Sequence, residues 1–423
     1  MRYFGTDGIR GEAYTKLTLE LAYKVGRSLS LLNIDELVVG YDTRESSVDL
    51  ANKLIEGAIS VGLNVINFNV LPTPALILES YYRKSIGVMI TASHNPYKDN
   101  GIKIIKMGYK IDDIDKTMIE DYIDGILTIR HKINGTVMNM ESSYLDYLSK
   151  YIIRTNLKIV IDCANGATSS FSSIFDKMAK VKYISNNPNG KNINENCGAT
   201  HPLNLINNMD NYDLGIAFDG DGDRIIVVDN NKNVVDGDKL IYLFTKFFKK
   251  HDWLKKDTVV LTVMSNLGII NALNDLNINT TLTKVGDQNV LDCMIKNGYN
   301  LGGENSGHII SPFSITGDGI LNAMILLTIL SEENKSLYEL TKDIEMYPYK
   351  LINLKVSDKS IIENETIKTK VKEYENKFDK YGKIILRASG TEDLIRVTVM
   401  HKDESIMNEC ITTLVSLINE GVK

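Results

Sequence analysis

Short apolar runs recur along this chain, each closing on a polar or glycine-bearing loop and giving way to helical spacing, and this rhythm constrains the fold more than any other feature. Leu37–Asp42, Leu157–Asp162 and Thr258–Val263 are three such runs, separated by roughly one domain length. Parallel strands joined by crossover helices read this way, so the fold class is α/β. The recurrence predicts three related α/β domains. The tail breaks the rhythm: a charged, helix-favouring stretch over 359–380 precedes β-like runs at 383–387 and 394–400 around a glycine-containing turn. A smaller α+β domain therefore closes the chain. The expected domains are 1–146, 147–234, 235–346 and 347–423.

A chain of 423 residues exceeds what one core serves, and 43% hydrophobic with 24% charged residues lies in the globular range. The formal charge is -6, with Lys and Arg spread along the chain, so no nucleic-acid footprint is present. A few cations gathered in one cleft can still bind a small anion. Cys163, Cys197, Cys293 and Cys410 are far apart and form no C-x-x-C pair, which argues against a zinc site or disulfide framework. The longest apolar stretch, Ile320–Leu330, is too short to span a bilayer. No apolar signal segment opens the chain, so no membrane partner and a cytoplasmic location are expected.

The strongest chemical signal is Asp219-Gly220-Asp221-Gly222-Asp223-Arg224, set between the apolar runs 214–218 and 225–228. Carboxylates at alternate positions, separated by glycines that let the backbone bend, can converge on one hard divalent cation. An EF-hand would need glycine at Arg224 and an acid at Asn230, so that motif is excluded. A plain acidic turn is the alternative, and the mutual repulsion of three aspartates argues against it. Upstream, the apolar run 85–90 leads into Thr91-Ala92-Ser93-His94-Asn95-Pro96, and Asn100-Gly101 marks another turn before Lys103. The Ser93 hydroxyl is thereby expected at a strand's carboxyl end, where α/β folds bind ligands. A loop serine alone is more often a turn residue, and the chain lacks a G-x-S-x-G elbow. In Gly302-Gly303-Glu304-Asn305-Ser306-Gly307-His308, a carboxylate, a hydroxyl and an imidazole suit recognition of sugar hydroxyls, with a polar turn as the alternative. Arg387-Ala388-Ser389-Gly390-Thr391-Glu392 reads as a phosphate cradle or as a hairpin loop.

In this order, and with Phe4-Gly5-Thr6-Asp7-Gly8-Ile9-Arg10-Gly11 at the start, these segments resemble the α-D-phosphohexomutase family along the whole chain. The resemblance implies four domains around a central cleft. It implies a phosphoserine at Ser93, with Asp219, Asp221 and Asp223 holding one Mg²⁺ together with that covalent phosphate. Glu304, Ser306 and His308 would contact the sugar, and Arg387, Ser389, Gly390 and Thr391 the phosphate that is not reacting. Phe4–Gly11, Asn305 and Gly390 look like the branch acting on glucosamine phosphate, with glucose or mannose phosphate as the alternative. The implied enzyme is an isomerase, an intramolecular phosphotransferase that interconverts glucosamine 6-phosphate and glucosamine 1-phosphate through a 1,6-bisphosphate. It would be primed by glucose- or glucosamine-1,6-bisphosphate and would feed UDP-N-acetylglucosamine and cell-wall precursor synthesis.

Arg10, Lys103 and Arg224 would surround the reacting phosphoryl group, since such transfer is mainly positioning and charge stabilisation. Lys103 or His308 would take the hydroxyl proton. A homodimer is the implied assembly, and a small sugar phosphate the implied partner. The sequence departs from relatives at Ala388 and Asp393, where proline is common, and at Gln288-Asn289, where Arg-Tyr is common. A Mg²⁺-dependent sugar phosphatase and a catalytically inactive sugar-phosphate sensor are the rival readings.

Overall fold

A computed structural model of the chain describes residues 2–5, 7–129, 134–388 and 393–421. Among these residues the strands form four sheets, in chain order. In the first, Glu36–Tyr41 lies parallel to both Asn64–Val70 and Ile86–Ile90. Ile86–Ile90 then pairs antiparallel with Asp99–Lys106, which pairs antiparallel with Gly8–Glu12. The second sheet repeats the plan: Lys158–Asp162 is parallel to Leu214–Phe218, and Leu214–Phe218 turns back antiparallel into Ile225–Asp229. In the third, Thr258–Thr262 is parallel to Gly302–Gly303, which returns antiparallel as Ile309–Ile310.

The sheets are thus mixed, where crossover strands alone would give parallel ones. The connections at 91–98, 219–224 and 304–308 are too short for the dozen or so residues a parallel crossover needs, so each closes a hairpin. Each of the three chemically marked segments therefore sits where a parallel strand gives way to an antiparallel one. The C-terminal sheet, in the order Tyr349–Lys355, Leu394–His401, Gly382–Ala388, is wholly antiparallel.

Period-two alternation decides which core each strand feeds. Val38 and Met89 point into a large core shared with the second and third sheets, whereas Leu37, Val39, Val88 and Ile90 fill the core on the opposite face. The shared core locks the three chemical loops into one body. Helix Gly319–Glu333, which contains the apolar stretch 320–330, is buried along most of its length within it. Among the described residues no helix is long and apolar enough to cross a membrane. The C-terminal sheet has a core of its own.

The stretch 359–380 is broken rather than one helix: a 3₁₀ turn at Lys359–Glu363 precedes helix Glu365–Phe378. Asn364 causes the break. Its side chain accepts the Thr366 amide at 2.8 Å, capping a helix that starts there.

Candidate active site

Ser93 and the aspartate loop come from different sheets and meet directly: Ser93 Oγ donates to Asp219 Oδ2 at 2.7 Å. Ser93 is buried and holds a left-handed backbone at φ 52°, which costs a non-glycine residue about 1–2 kcal/mol. Its surroundings hold it there. Arg44 Nη2 donates to the carbonyls of Ser93 (3.1 Å) and Asn95 (2.6 Å), and Asn194 Nδ2 donates to the same pair at 2.9 and 3.1 Å. Thr91 Oγ1 accepts the Ser93 amide at 2.9 Å. Arg44 is itself buried and ion-paired with Asp42, whose carboxylate also accepts from Thr91 and Ser47. On the other side, Gly220 is in such close approach that a Cβ there would stand 2.5 Å from the Ser93 carbonyl oxygen.

The three aspartates offer oxygens that all lie within 4.8 Å of one another, and all three are buried. Burial, then the carboxylates of Asp223 and Asp221, push Asp219 well above the usual carboxylate range. Burial would push Asp221 the same way, but Lys103 at 2.8 Å and the Thr73 hydroxyl at 2.6 Å outweigh it and hold the group ionised. Lys103 also faces Asp7 at 3.2 Å and Asp223 at 3.6 Å; burial opposes its charge, and these carboxylates restore it. Arg224 Nε lies 3.8 Å from Asp223 and 4.0 Å from Asp219. Arg10 Nη2 contacts Asp7 at 2.5 Å. Beside Ser93, burial followed by Arg224 and Arg10 pushes the His94 imidazole down to about 4, so it is neutral at pH 7.

The third loop joins this cluster through the backbone. Arg224 and His308 form an antiparallel bridge, and the Ile225 amide donates to the Gly307 carbonyl at 3.1 Å. Glu304 is buried, its Oε1 accepting the Gly286 amide at 2.9 Å. Among the described residues, Ser306 Oγ and His308 Nδ1 are buried without a hydrogen-bond partner, which leaves both free for a ligand. His308 Nε2 stands 3.9 Å from Asp287 Oδ2. Ser93, Lys103, Arg10, Arg224, the three aspartates, Glu304, Ser306 and His308 thus share one region. Arg387 has its described neighbours within the C-terminal sheet, where it faces Arg396 in register; burial, then Arg396, lowers its guanidinium pKa. Ser389, Gly390 and Thr391 lie outside the described residues.

Four sequence patterns of one family match the chain in order. These are phosphoglucomutase/phosphomannomutase alpha/beta/alpha domain I over residues 1–130, domain II over 142–233, domain III over 236–347 and the C-terminal domain over 351–416. The chain belongs to the phosphohexomutase family. It is most like phosphoglucosamine mutases: that of Clostridioides difficile (strain 630) is 43% identical, with 99% of each chain covered. That of Bacillus subtilis (strain 168) is 40% identical over 99% of this chain and 98% of its own. Among solved structures, a phosphoglucomutase/phosphomannomutase family protein from Burkholderia thailandensis superposes with a TM-score of 0.83 at 20% identity, covering 100% of this chain and 98% of its own. Aspergillus fumigatus N-acetylphosphoglucosamine mutase, in complex with GlcNAc-6P and magnesium, gives 0.68 at 15% identity, with 100% of this chain and 96% of its own covered. Both share the fold.

The donor set of this phosphohexomutase fits a divalent cation. Asp221 Oδ1 and Asp223 Oδ1 are buried without hydrogen-bond partners among the described residues, in an all-oxygen cluster whose mutual repulsion a hard cation would relieve. Sequence reasoning missed the groups that hold the phosphohexomutase site in shape. Asp42 and Arg44 follow an apolar strand, a signal that could have been read; Thr73, Asn194 and Asp287 carry none.

Three outcomes are expected. Arg44→Met leaves Asp42 buried without its partner and lowers unfolding free energy by about 3–5 kcal/mol, measured by urea unfolding. Mg²⁺ at about 100 times its Kd raises unfolding free energy by about 2.7 kcal/mol. Asp223→Asn removes most of that rise, as read by thermal unfolding across a Mg²⁺ titration.

Proposed function

We propose that this phosphohexomutase interconverts glucosamine 6-phosphate and glucosamine 1-phosphate through a phosphorylated Ser93. The observation that carries the reading is the Ser93 Oγ–Asp219 contact, which puts the hydroxyl of a buried residue with a left-handed backbone against the acidic triad. The choice of sugar rests on the likeness to phosphoglucosamine mutases over nearly the whole chain.

Asp219, Asp221 and Asp223 would hold Mg²⁺, which supplies charge stabilisation for the phosphoryl oxygens. The protein's own groups do the rest. The phosphoryl group on Ser93 Oγ passes to the free sugar hydroxyl: the bond to the sugar oxygen forms as the bond to Ser93 Oγ breaks, and His308 takes the hydroxyl proton. His308 suits this role because its buried Nδ1 has no described partner, whereas the Lys103 ammonium is engaged by Asp221, Asp7 and Asp223. Lys103, Arg10 and Arg224 offset the charge in transit, and Glu304 and Ser306 hold sugar hydroxyls. After the 1,6-bisphosphate turns over, its other phosphoryl group returns to Ser93 by the reverse step, so no phosphate is consumed. Arg387, with Ser389, Gly390 and Thr391, would hold the idle phosphate. A 1,6-bisphosphate primes Ser93, and the enzyme works in the cytoplasm as a homodimer.

Side-by-side kcat/KM measurements should favour glucosamine 6-phosphate over the glucose and mannose 6-phosphates by about 10-fold or more. Equal values would remove the sugar assignment and leave the family chemistry. Ser93→Ala should lower kcat by at least about 10³-fold, because the group that forms the covalent intermediate is gone. Accumulation of inorganic phosphate instead of the 1-phosphate would favour a phosphatase.

A further inference from the structure

The turn Thr316-Gly317-Asp318-Gly319 touches both halves of the site at once. At one end, Gly317 lies against the imidazole of His308: a Cβ built there would stand 2.4 Å from Nε2, 2.5 Å from Cδ2 and 2.6 Å from Cε1. Carbon contacts settle near 3.5–4.0 Å, so no side chain fits while the ring stays in place. The backbone of Gly317 lies outside the left-handed region, so space rather than conformation demands glycine here. At the other end, the Gly319 amide donates to the Gly222 carbonyl in the aspartate loop at 3.0 Å, and a Cβ at Gly319 would stand 2.6 Å from the Arg224 carbonyl oxygen.

Between the two glycines, the buried Asp318 fixes the turn. It caps helix Gly319–Glu333 by accepting the Leu321 amide at 2.9 Å, and it accepts the Tyr144 hydroxyl at 2.7 Å. The turn is therefore anchored on a buried helix and bears on the metal loop and the imidazole together. His308 is 4% exposed, so a ring pushed off Gly317 has little open space to move into.

We propose that Gly317 is a positioning residue, through which this turn sets the His308 imidazole at a fixed place relative to the aspartate loop. The inference rests on His308 being the proton acceptor. A methyl at 317 must displace the ring, and a displacement near 1 Å at a reacting group costs on the order of 100-fold.

The test is a double-mutant cycle on the full chain: wild type, Gly317→Ala, His308→Ala and both together, each assayed for kcat, KM and thermal unfolding. Gly317→Ala should lower kcat by on the order of 10- to 100-fold with little change in KM. In the His308→Ala background the same change should cost less than about 2-fold, because the methyl enters space the ring has left. A turn that matters only for folding would show an equal cost in both backgrounds, and that result overturns the inference. So does a neutral Gly317→Ala in an enzyme that His308→Ala impairs, which leaves the His308 assignment intact. Full activity in His308→Ala would overturn the assignment and the inference together. Should Gly317→Ala alone fail to fold, recovery of folded protein in the double variant supports the contact, and failure of both contradicts it.

Discussion

Everything in this molecule turns on a hydrogen bond between two hairpins of different sheets, Ser93 Oγ to Asp219 Oδ2. Neither partner is stable alone. Ser93 sits in a backbone region that L-residues avoid, and Asp219 is a buried carboxylate flanked by two more. The surrounding structure offsets both costs: Arg44 and Asn194 grip the carbonyls that define the serine loop, and Lys103, on the strand Asp99–Lys106 that follows this loop, neutralises Asp221. Strain held in place by buried, over-determined contacts is a mark of functional sites.

The sheet topology explains why three loops distant in sequence can share one site. In each of the first three sheets a parallel strand gives way to an antiparallel return, and the reactive loop is that return. Carboxyl ends of parallel strands are where α/β folds gather ligands, and a hairpin there projects its side chains with little slack. A single shared core then fixes the three returns relative to one another. The C-terminal sheet, with its separate core, meets the third unit at a junction of backbone contacts: Lys383 Nζ donates to the carbonyls of Val263 and Ser265, and Asn266 exchanges hydrogen bonds with the main chain of Tyr347.

Much of this was legible in the sequence, for physical reasons. Buried strands declare themselves as apolar runs, so Leu37–Asp42 and Thr258–Val263 were placed to within a residue of the strands Glu36–Tyr41 and Thr258–Thr262. Three aspartates at alternate positions have few uses other than a cation, so the triad also stood out. The mixed character of the sheets was not legible, because strand direction depends on loop length and pairing rather than on the run itself. Nor were Thr73, Asn194 and Gly317: a threonine after a proline, an asparagine in an asparagine-rich loop and a glycine before an aspartate look like ordinary turn residues until the chain is folded. Supporting groups act through contacts across more than a hundred positions, and single-sequence patterns do not carry that information.

The most direct test of the account follows the phosphoryl group itself. The protein is charged with glucosamine 1,6-bisphosphate bearing ³²P, digested and mapped, and a second sample is chased with unlabelled glucosamine 6-phosphate before digestion. The account predicts label on the peptide containing Ser93 and its transfer to sugar in the chase. Label on another residue, or its release only as inorganic phosphate, would contradict it.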